Sequence, residues 1–569
     1  MCGIFSTLRN ISIEDADKYF KLIRHRGPDA SEIKVIDQIQ DKNLIFGFHR
    51  LAIIDPTSRS MQPLTLNGLV LICNGEIFNY KELINKYNFI MKTQSDCEII
   101  LHLYEHYGRN ESALKKLLNE LRAEFAFILY DEDDKTLMAA RDPFGIRPLF
   151  YSYGYNGISF ASELKALLFE ETVKPLIPGS YIFREHNLQY NTTKFIKYYL
   201  IGNDSLREKS EEPLTKYKKN KSHLDWFFSS IAKTDITTIH KNIRALLTKS
   251  VKIRLMSDRP VGCFLSGGLD SSLVTSLVSE HINELHCFSI GLKDGLDIAA
   301  SIKVVEFLKS KGRNIKHHII NFTVEEGFQA IREVIWCLET RCVTTIRAGV
   351  VNYLLAKYVA TNTEIKVIYS GSGSDEVFNG YQYGKMISDS KTLECDSRRL
   401  LDNLYLYDNL RDDRTTAAFG LEVRVPFLCR DLIDYVFSVD GEYRLSNIFM
   451  EKTLLRDAFK NEGVLPEEIL YRRKEAWSDA VSSEEVSWYK TLSEKYIAPL
   501  ISDEEFKNAR VQYPYDTPKS KEALYYRKIF ETFFPKRANI IPTIWLPPKK
   551  IVGRELTDPS ATILNCYER

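Results

Sequence analysis

Apolar positions in the first 200 residues fall in short runs separated by turns. Residues 69–73, 125–130 and 136–140 have the length and β-branched or aromatic content of strands. Helical spacing appears only near residues 81–87 and 98–107. Many strands with few helices predict packed sheets. Residues 204–222 are polar and highly charged, which suits a linker or exposed loop. Beyond Thr237 the pattern changes. A helical segment runs to Arg254, an apolar run covers 261–265, helical spacing continues to about Glu280, and a second apolar run covers 285–292. Strands alternating with helices predict a parallel α/β sheet. Residues 400–534 are mostly helical in pattern, and the tail with Pro542, Pro547 and Pro548 is expected to be irregular. No internal repeat is visible.

Composition narrows the class. At 569 residues with 44% hydrophobic and 27% charged positions, the chain is an ordinary globular sequence of several domains. Lys plus Arg is 77 and Asp plus Glu is 76. Such a balance argues against nucleic-acid binding through net positive charge. No run approaches the roughly 18 apolar residues of a membrane span. The N-terminus turns polar by Ser6, unlike a signal peptide. Ten Cys are scattered with no CxxC spacing, as expected of free thiols in a reducing compartment. A cytoplasmic location is expected.

One cysteine stands apart. Cys2 follows Met1, and removal of that methionine would leave a free α-amine beside the thiol. Such an amine has a reference pKa near 8 and can act as a general base at neutral pH. A cysteine at position 2 is weak evidence alone. Other parts of a site accompany it. Arg50 lies at the edge of an apolar run and suits a bidentate carboxylate. Asn74 and Gly75 follow the 69–73 run and supply an amide and a backbone N–H of oxyanion-hole type. Ser95-Asp96 precedes a helical segment, where a capping role competes with binding of a substrate ammonium.

The stretches Met1-Cys2-Gly3-Ile4-Phe5, His25-Arg26-Gly27-Pro28-Asp29, His49-Arg50-Leu51-Ala52-Ile53, Asn74-Gly75-Glu76-Ile77-Phe78-Asn79-Tyr80 and Arg141-Asp142-Pro143-Phe144-Gly145 closely resemble the class II glutamine amidotransferases. The resemblance implies an N-terminal-nucleophile hydrolase, an α-β-β-α sandwich. It implies that Cys2 attacks the glutamine side-chain amide and that Asn74 and Gly75 hold the oxyanion. Arg50, with Leu51, Ala52, Ile53 and Ile54 beside it, would bind the glutamine carboxylate. Glu76 and Asp96 would hold its amino end.

A second motif lies between a predicted strand and helix: Leu265-Ser266-Gly267-Gly268-Leu269-Asp270-Ser271-Ser272. Glycines let backbone N–H groups converge on an anion at a helix N-terminus. Asp270 would repel a bare phosphate and makes sense with Mg²⁺ between them. The loop is neither Walker A nor GxGxxG. It resembles the pyrophosphate loop of ATP pyrophosphatases, a parallel-sheet fold like that of the adenine nucleotide alpha hydrolases. A second loop, Tyr369-Ser370-Gly371-Ser372-Gly373-Ser374-Asp375-Glu376, offers Ser370 and Gly371 to the nucleotide and Asp375 as the second metal carboxylate. Leu265 and Ile290 end neighbouring predicted strands, where α/β sheets place ligands.

The order of these modules resembles the glutamine-hydrolysing asparagine synthetases. Further matching stretches are Val343-Thr344-Thr345-Ile346-Arg347-Ala348, Gly420-Leu421-Glu422-Val423-Arg424-Val425-Pro426-Phe427-Leu428, Glu451-Lys452, Arg473-Lys474-Glu475, Ser520-Lys521-Glu522-Ala523 and Thr557-Asp558-Pro559-Ser560-Ala561. The resemblance implies glutamine, aspartate and ATP as substrates, Mg²⁺, a β-aspartyl-AMP intermediate, an internal ammonia tunnel, and Lys452 near the reacting phosphate. Its members often form homodimers. The expected layout is an amidotransferase domain over 1–200, a charged linker over 201–236, a synthetase domain over 237–540 and a tail over 541–569.

The chain departs from the family pattern at Ser372, where the second loop has Glu. A serine carries no charge and is no base near neutral pH. Cys342 and Cys429 replace Asp, Asn379 replaces Gly, and Arg414 replaces Lys. The Ser372 departure leaves open a slow synthetase, one using another carboxylate, a glutaminase-competent homologue with impaired synthesis, or a related ligase with another acceptor. β-Lactam-synthetase-like relatives of that last kind need no ammonia, so Cys2 speaks against them.

Overall fold

The computed structural model describes residues 1–154, 157–186, 191–201, 235–447, 449–474, 481–483, 486–542 and 544–556. The first half holds twelve strands: β1 (Gly3–Arg9), β2 (Ala30–Ile39), β3 (Lys42–Arg50), β4 (Leu64–Leu66), β5 (Leu69–Ile77), β6 (Ala123–Asp131), β7 (Thr136–Arg141), β8 (Phe150–Gly154), β9 (Gly157–Ala161), β10 (Lys174–Pro175), β11 (Ser180–His186) and β12 (Asn191–Lys197). They form two six-stranded antiparallel sheets, β10-β8-β9-β1-β3-β2 and β12-β11-β7-β6-β5-β4.

The period-2 rule explains the layering. On β1, Ile4 and Leu8 face the other sheet and pack with Val70, Ile72, Ala126 and Ile128. Phe5 faces the opposite way and packs with Ala16, Phe20 and Ile23 of the helical turns that follow β1. The far side of the second sheet is covered by the helices Ile99–His106 and Glu111–Glu120 through Ile100, Leu103, Leu114 and Leu117. The result is an α-β-β-α sandwich. Because both faces of each sheet are covered, the central strands read as apolar runs with no polar alternation.

The second half contains a parallel sheet of β13 (Val261–Phe264), β14 (Leu285–Gly291), β15 (Ile315–Asn321), β16 (Val367–Tyr369) and β17 (Glu422–Arg424). Their spatial order is β15-β14-β13-β16-β17. Strand order therefore reverses between β13 and β16, which makes the crevice beyond their carboxyl ends the place for a ligand. Helices Leu269–Ser279, Leu296–Ser310, Val343–Asn362 and Asp408–Ala417 surround this sheet.

The predicted elements appear with small shifts at their ends. One shift matters: β5 continues through Ile77, so Asn74 and Gly75 lie inside the strand and not after it. The proposed linker over 201–236 falls largely outside the described residues; a helix starts at Ile236, capped by the Asp235 side chain. The matching stretch 557–561 also lies outside them. No helix is long and apolar enough to cross a membrane among the described residues.

The two halves meet along a seam of buried charges. Arg26 makes a bidentate pair with Asp413 at 2.8 and 3.0 Å and reaches Glu163 at 2.7 Å. Arg414 joins Glu163 at 2.9 Å and Glu339 at 3.0 Å, so the fork of Arg at the position of a family Lys serves two carboxylates. Arg254 and Arg147 both pair with Glu124, at 2.8 and 2.9 Å.

Candidate active sites

Cys2 sits where the two sheets of the sandwich face one another. Its backbone N–H donates to Asn74 Oδ1 at 2.9 Å, across from one sheet to the other. The Leu51 N–H points at Cys2 Sγ at 3.4 Å, and the Arg26 Nε–H holds the Cys2 carbonyl at 3.0 Å. Because Asn74 Oδ1 must face the Cys2 donor, its Nδ2 is turned away from that bond. That Nδ2 is buried with no hydrogen-bond partner. A buried amide donor without an acceptor beside a thiol is the arrangement an oxyanion hole requires. Gly75 has a second role. A Cβ there would lie 2.5 Å from the Glu124 carbonyl oxygen, so the glycine lets β6 close against β5.

The other residues that carry the amidotransferase resemblance are placed as follows. Leu51, Ala52 and Ile53 are buried, Ile54 half-buried, and the Ala52 N–H donates to Asp29 at 2.8 Å. Arg50 is buried with its guanidinium donating to the carbonyls of Thr57 at 2.5 Å, Ile54 at 3.5 Å and Asp55. Asp96 accepts the Ile77 N–H at 2.6 Å, and no side-chain cap is made by Ser95. Glu76 Oε2 is buried without a hydrogen-bond partner, 3.6 Å from Arg424. Burial, together with Glu422 and Asp96, pushes the Glu76 carboxyl well above its usual range; burial likewise pushes Asp96 up to about 6. Burial pushes the Cys2 thiol up to about 11, against the pull of the Met1 amine and the Leu51 contact. Met1 itself is buried, its amine 3.8 Å from Glu422. Glu422 and Arg424 belong to the second half, so they extend this cluster of buried charges in a way that spacing within the first half did not reveal.

The second centre lies at the reversal of strand order. Gly267 has φ +74, and a Cβ there would lie 2.4 Å from the Ser301 nitrogen, so only glycine fits. Gly268 precedes the eleven-residue helix Leu269–Ser279, whose first residues Leu269, Asp270 and Ser271 line the cavity. Ser266 Oγ and Ser271 Oγ bond at 2.9 Å. The second loop touches the first backbone to backbone: a Cβ on Gly371 would lie 2.7 Å from the Ser271 nitrogen. Together they wall a cavity of about 220 Å³.

Lys452 ties the two loops together. Its Nζ lies 2.5 Å from both Asp270 Oδ2 and Asp375 Oδ1. Lys474 adds a contact to Asp375 at 2.8 Å. Burial alone would raise the Asp375 carboxyl, yet the two lysines hold it far below the usual range. Lys452 has φ +56, a strained conformation worth about 1–2 kcal/mol for a side chain with a Cβ. Asp270 Oδ1 is buried with no hydrogen-bond partner. Two carboxylates meeting at one point, one with an unused oxygen, fit a hard cation shared with phosphate oxygens.

Ser266, Gly268, Asp270, Ser271, Ser370, Gly371, Asp375 and Lys452 all line this cavity. Leu265, Gly267, Ser272 and Ile290 form no part of its wall; Leu265, Ser272 and Ile290 are buried behind it. β14, which carries Ile290, lies on the far side of β13 from β16. Sequence reasoning assigned no role to Asn352, Tyr381, Arg411 and Asp412, which also line the cavity. Arg347 and Thr345 line it too, from a stretch noted only as a match. Of the other departures, Asn379 has φ +55, which Asn tolerates where Gly is usual. Cys342 Sγ accepts the Trp545 N–H at 3.4 Å, and Cys429 precedes a helix with no side-chain cap.

Comparison with known proteins decides the family. Residues 1–198 match the glutamine amidotransferase domain model, and residues 242–394 and 385–545 match the asparagine synthase model. A probable glutamine-hydrolysing asparagine synthetase of Acanthamoeba polyphaga mimivirus is 40% identical, covering 99% of this chain and 100% of the relative. The chain belongs to the glutamine-hydrolysing asparagine synthetases. The asparagine synthetases of Mus musculus and Homo sapiens are 40% and 39% identical, each over 100% of this chain and 99% of the relative. Membership accounts for two separate centres in one chain, since the family joins a glutaminase to a ligase.

Proposed function

We propose that this chain makes L-asparagine from L-aspartate, ATP and ammonia released from glutamine, with Cys2 as the glutaminase nucleophile. After loss of Met1, the Cys2 α-amine takes the thiol proton. Sulfur bonds to the amide carbon while Asn74 Nδ2 and the Gly75 N–H receive the oxyanion. The C–N bond breaks, ammonia leaves with the proton from the α-amine, and water cleaves the thioester to glutamate. Arg50 takes the glutamine carboxylate, and Glu76 with Asp96 its ammonium.

In the second cavity, a side-chain oxygen of aspartate bonds to the α-phosphorus of ATP as the bond to the bridging oxygen breaks, and pyrophosphate leaves. Ammonia then attacks the acyl carbon, the C–O bond to AMP breaks, and nitrogen loses one proton. Ser266, Gly268, Ser271, Ser370 and Gly371 hold the nucleotide, backed by Leu265, Gly267, Ser272 and Ile290. Lys452 meets the reacting phosphate. Asp270 and Asp375 would hold Mg²⁺, which supplies charge neutralisation of the phosphates. The domain limits follow the sequence: 1–200, a linker over 201–236, 237–540 and a tail. The nine free thiols of the described residues suit a reducing compartment such as the cytoplasm.

The observation that carries this reading is the meeting of Asp270, Asp375 and Lys452 at the strand reversal, in a chain that also presents an unpaired Asn74 amide beside Cys2. Incubation with glutamine, aspartate, ATP and Mg²⁺ tests it. Asparagine, AMP and pyrophosphate in equal amounts are expected. Glutamate without asparagine would refute it.

A further inference from the structure

The second loop has no acidic side chain at position 372, yet the cavity wall beside it does. Asp412, on the helix Asp408–Ala417, is 3% exposed and lines the cavity. Its Oδ2 accepts hydrogen bonds from Ser372 Oγ at 2.6 Å and Ser370 Oγ at 2.9 Å. Its Oδ1 accepts from Asn352 Nδ2 at 3.0 Å and Arg411 Nε at 3.2 Å. All four lone-pair positions of the carboxylate are thus in use. Asp412 has no free valence for a ligand and must act through a neighbour.

That neighbour is Ser372. At 2.6 Å its O–H···O⁻ bond lies in the short, charge-assisted range, so its only proton is committed to Asp412. Ser370 Oγ lies 3.1 Å from the Ser372 oxygen, with its own hydroxyl proton on Asp412. What the Ser372 oxygen shows the cavity is then a lone pair, strengthened by the charge behind it. A serine that would otherwise donate or accept has become an acceptor. In a cavity already lined by Arg347, Arg411, Lys452 and Lys474, an acceptor of this kind suits an N–H donor and not another anion.

We propose that Ser372 and Asp412 form a dyad that receives the ammonium of the amino-acid substrate in the synthetase cavity, with Ser372 touching the substrate and Asp412 positioning and charging it. The proposal rests on the synthetase reading above. It also accounts for the missing glutamate. A Glu at 372 would place a second carboxylate against a buried one, and like charges that close disfavour joint ionisation. Serine at 372 and aspartate at 412 are a matched pair.

The test is aspartate-dependent exchange of pyrophosphate into ATP by the full chain with Mg²⁺, with glutaminase activity as a control for folding. Asp412→Asn and Ser372→Ala should each raise the KM for aspartate by about tenfold, the loss of one charge-assisted hydrogen bond, and leave the KM for ATP unchanged. Ser372→Glu alone should impair exchange, and Ser372→Glu with Asp412→Ala should recover it beyond either single variant, a non-additive pair. If the native chain exchanges and both Asp412→Asn and Ser372→Ala keep the native KM for aspartate, the dyad is wrong and the synthetase reading stands. If Ser372→Glu alone improves exchange, the matched pair is wrong. If the native chain shows no exchange with aspartate, the synthetase reading fails and the dyad falls with it.

Discussion

Cys2 is held by regular structure: a strand start, a hydrogen bond donated to the facing sheet, and an arginine on its carbonyl. Lys452 is held by irregular structure: two loops after parallel strands, a strained backbone and a web of opposed charges. The two centres serve different demands. Acyl transfer on a small amide needs one fixed thiol and a few fixed donors, and sheet register supplies these. Adenylation must admit a large, highly charged nucleotide, and the crevice beyond the carboxyl ends of parallel strands provides room for it. In the first centre, function depends on single side chains. In the second it depends on backbone as much as on side chains.

That contrast can be broken by substitution. Cys2→Ala removes the proposed nucleophile, and glutamate release should vanish while asparagine formation from added ammonium salts persists; loss of both activities would mean the centres are not separable. Asn74→Ala removes one proposed oxyanion donor and should lower the glutaminase kcat by about 10²–10³ with the KM for glutamine little changed. Steady-state glutamate release reads both constants. Gly371→Ala tests the backbone side. Its new methyl would meet the Ser271 nitrogen at 2.7 Å, a backbone atom with no freedom to yield. Displacing the phosphate loop by that amount should lower pyrophosphate exchange by about 10²-fold, with glutamate release intact. An active Gly371→Ala would show that the two loops move independently.

How much of this was legible in sequence follows from the same contrast. The glycine-rich loop was visible because its residues are consecutive and its chemistry is local. Cys2, Arg50, Asn74 and Asp96 were singled out through motifs, although β5 runs on past Asn74, which had been placed after the strand. Antiparallel register, not a loop, aims the Asn74 amide. The glycine at 75 was read as a backbone N–H donor; the structure adds that it leaves room for β6. Asp412 was not legible at all. It lies 40 residues from Ser372 along the chain, and nothing local distinguishes it from its neighbour Asp413. Yet one faces the cavity and the other faces Arg26. A helix turns 100° per residue, so adjacent acids serve different faces, and only the fold tells which.

The buried seam has a bearing on how such a protein can be recombined. Arg26, Lys165 and Arg414 interlock with Glu163, Glu339 and Asp413, three cations against three carboxylates drawn from both halves. A foreign glutaminase spliced in place of the first half would bring its own sheets and its own nucleophile, but not this pattern. Each carboxylate left buried without its partner costs about 3–5 kcal/mol, a large share of a domain's net stability. The seam works as a mating code: the halves are modular in chemistry but inherited as a pair.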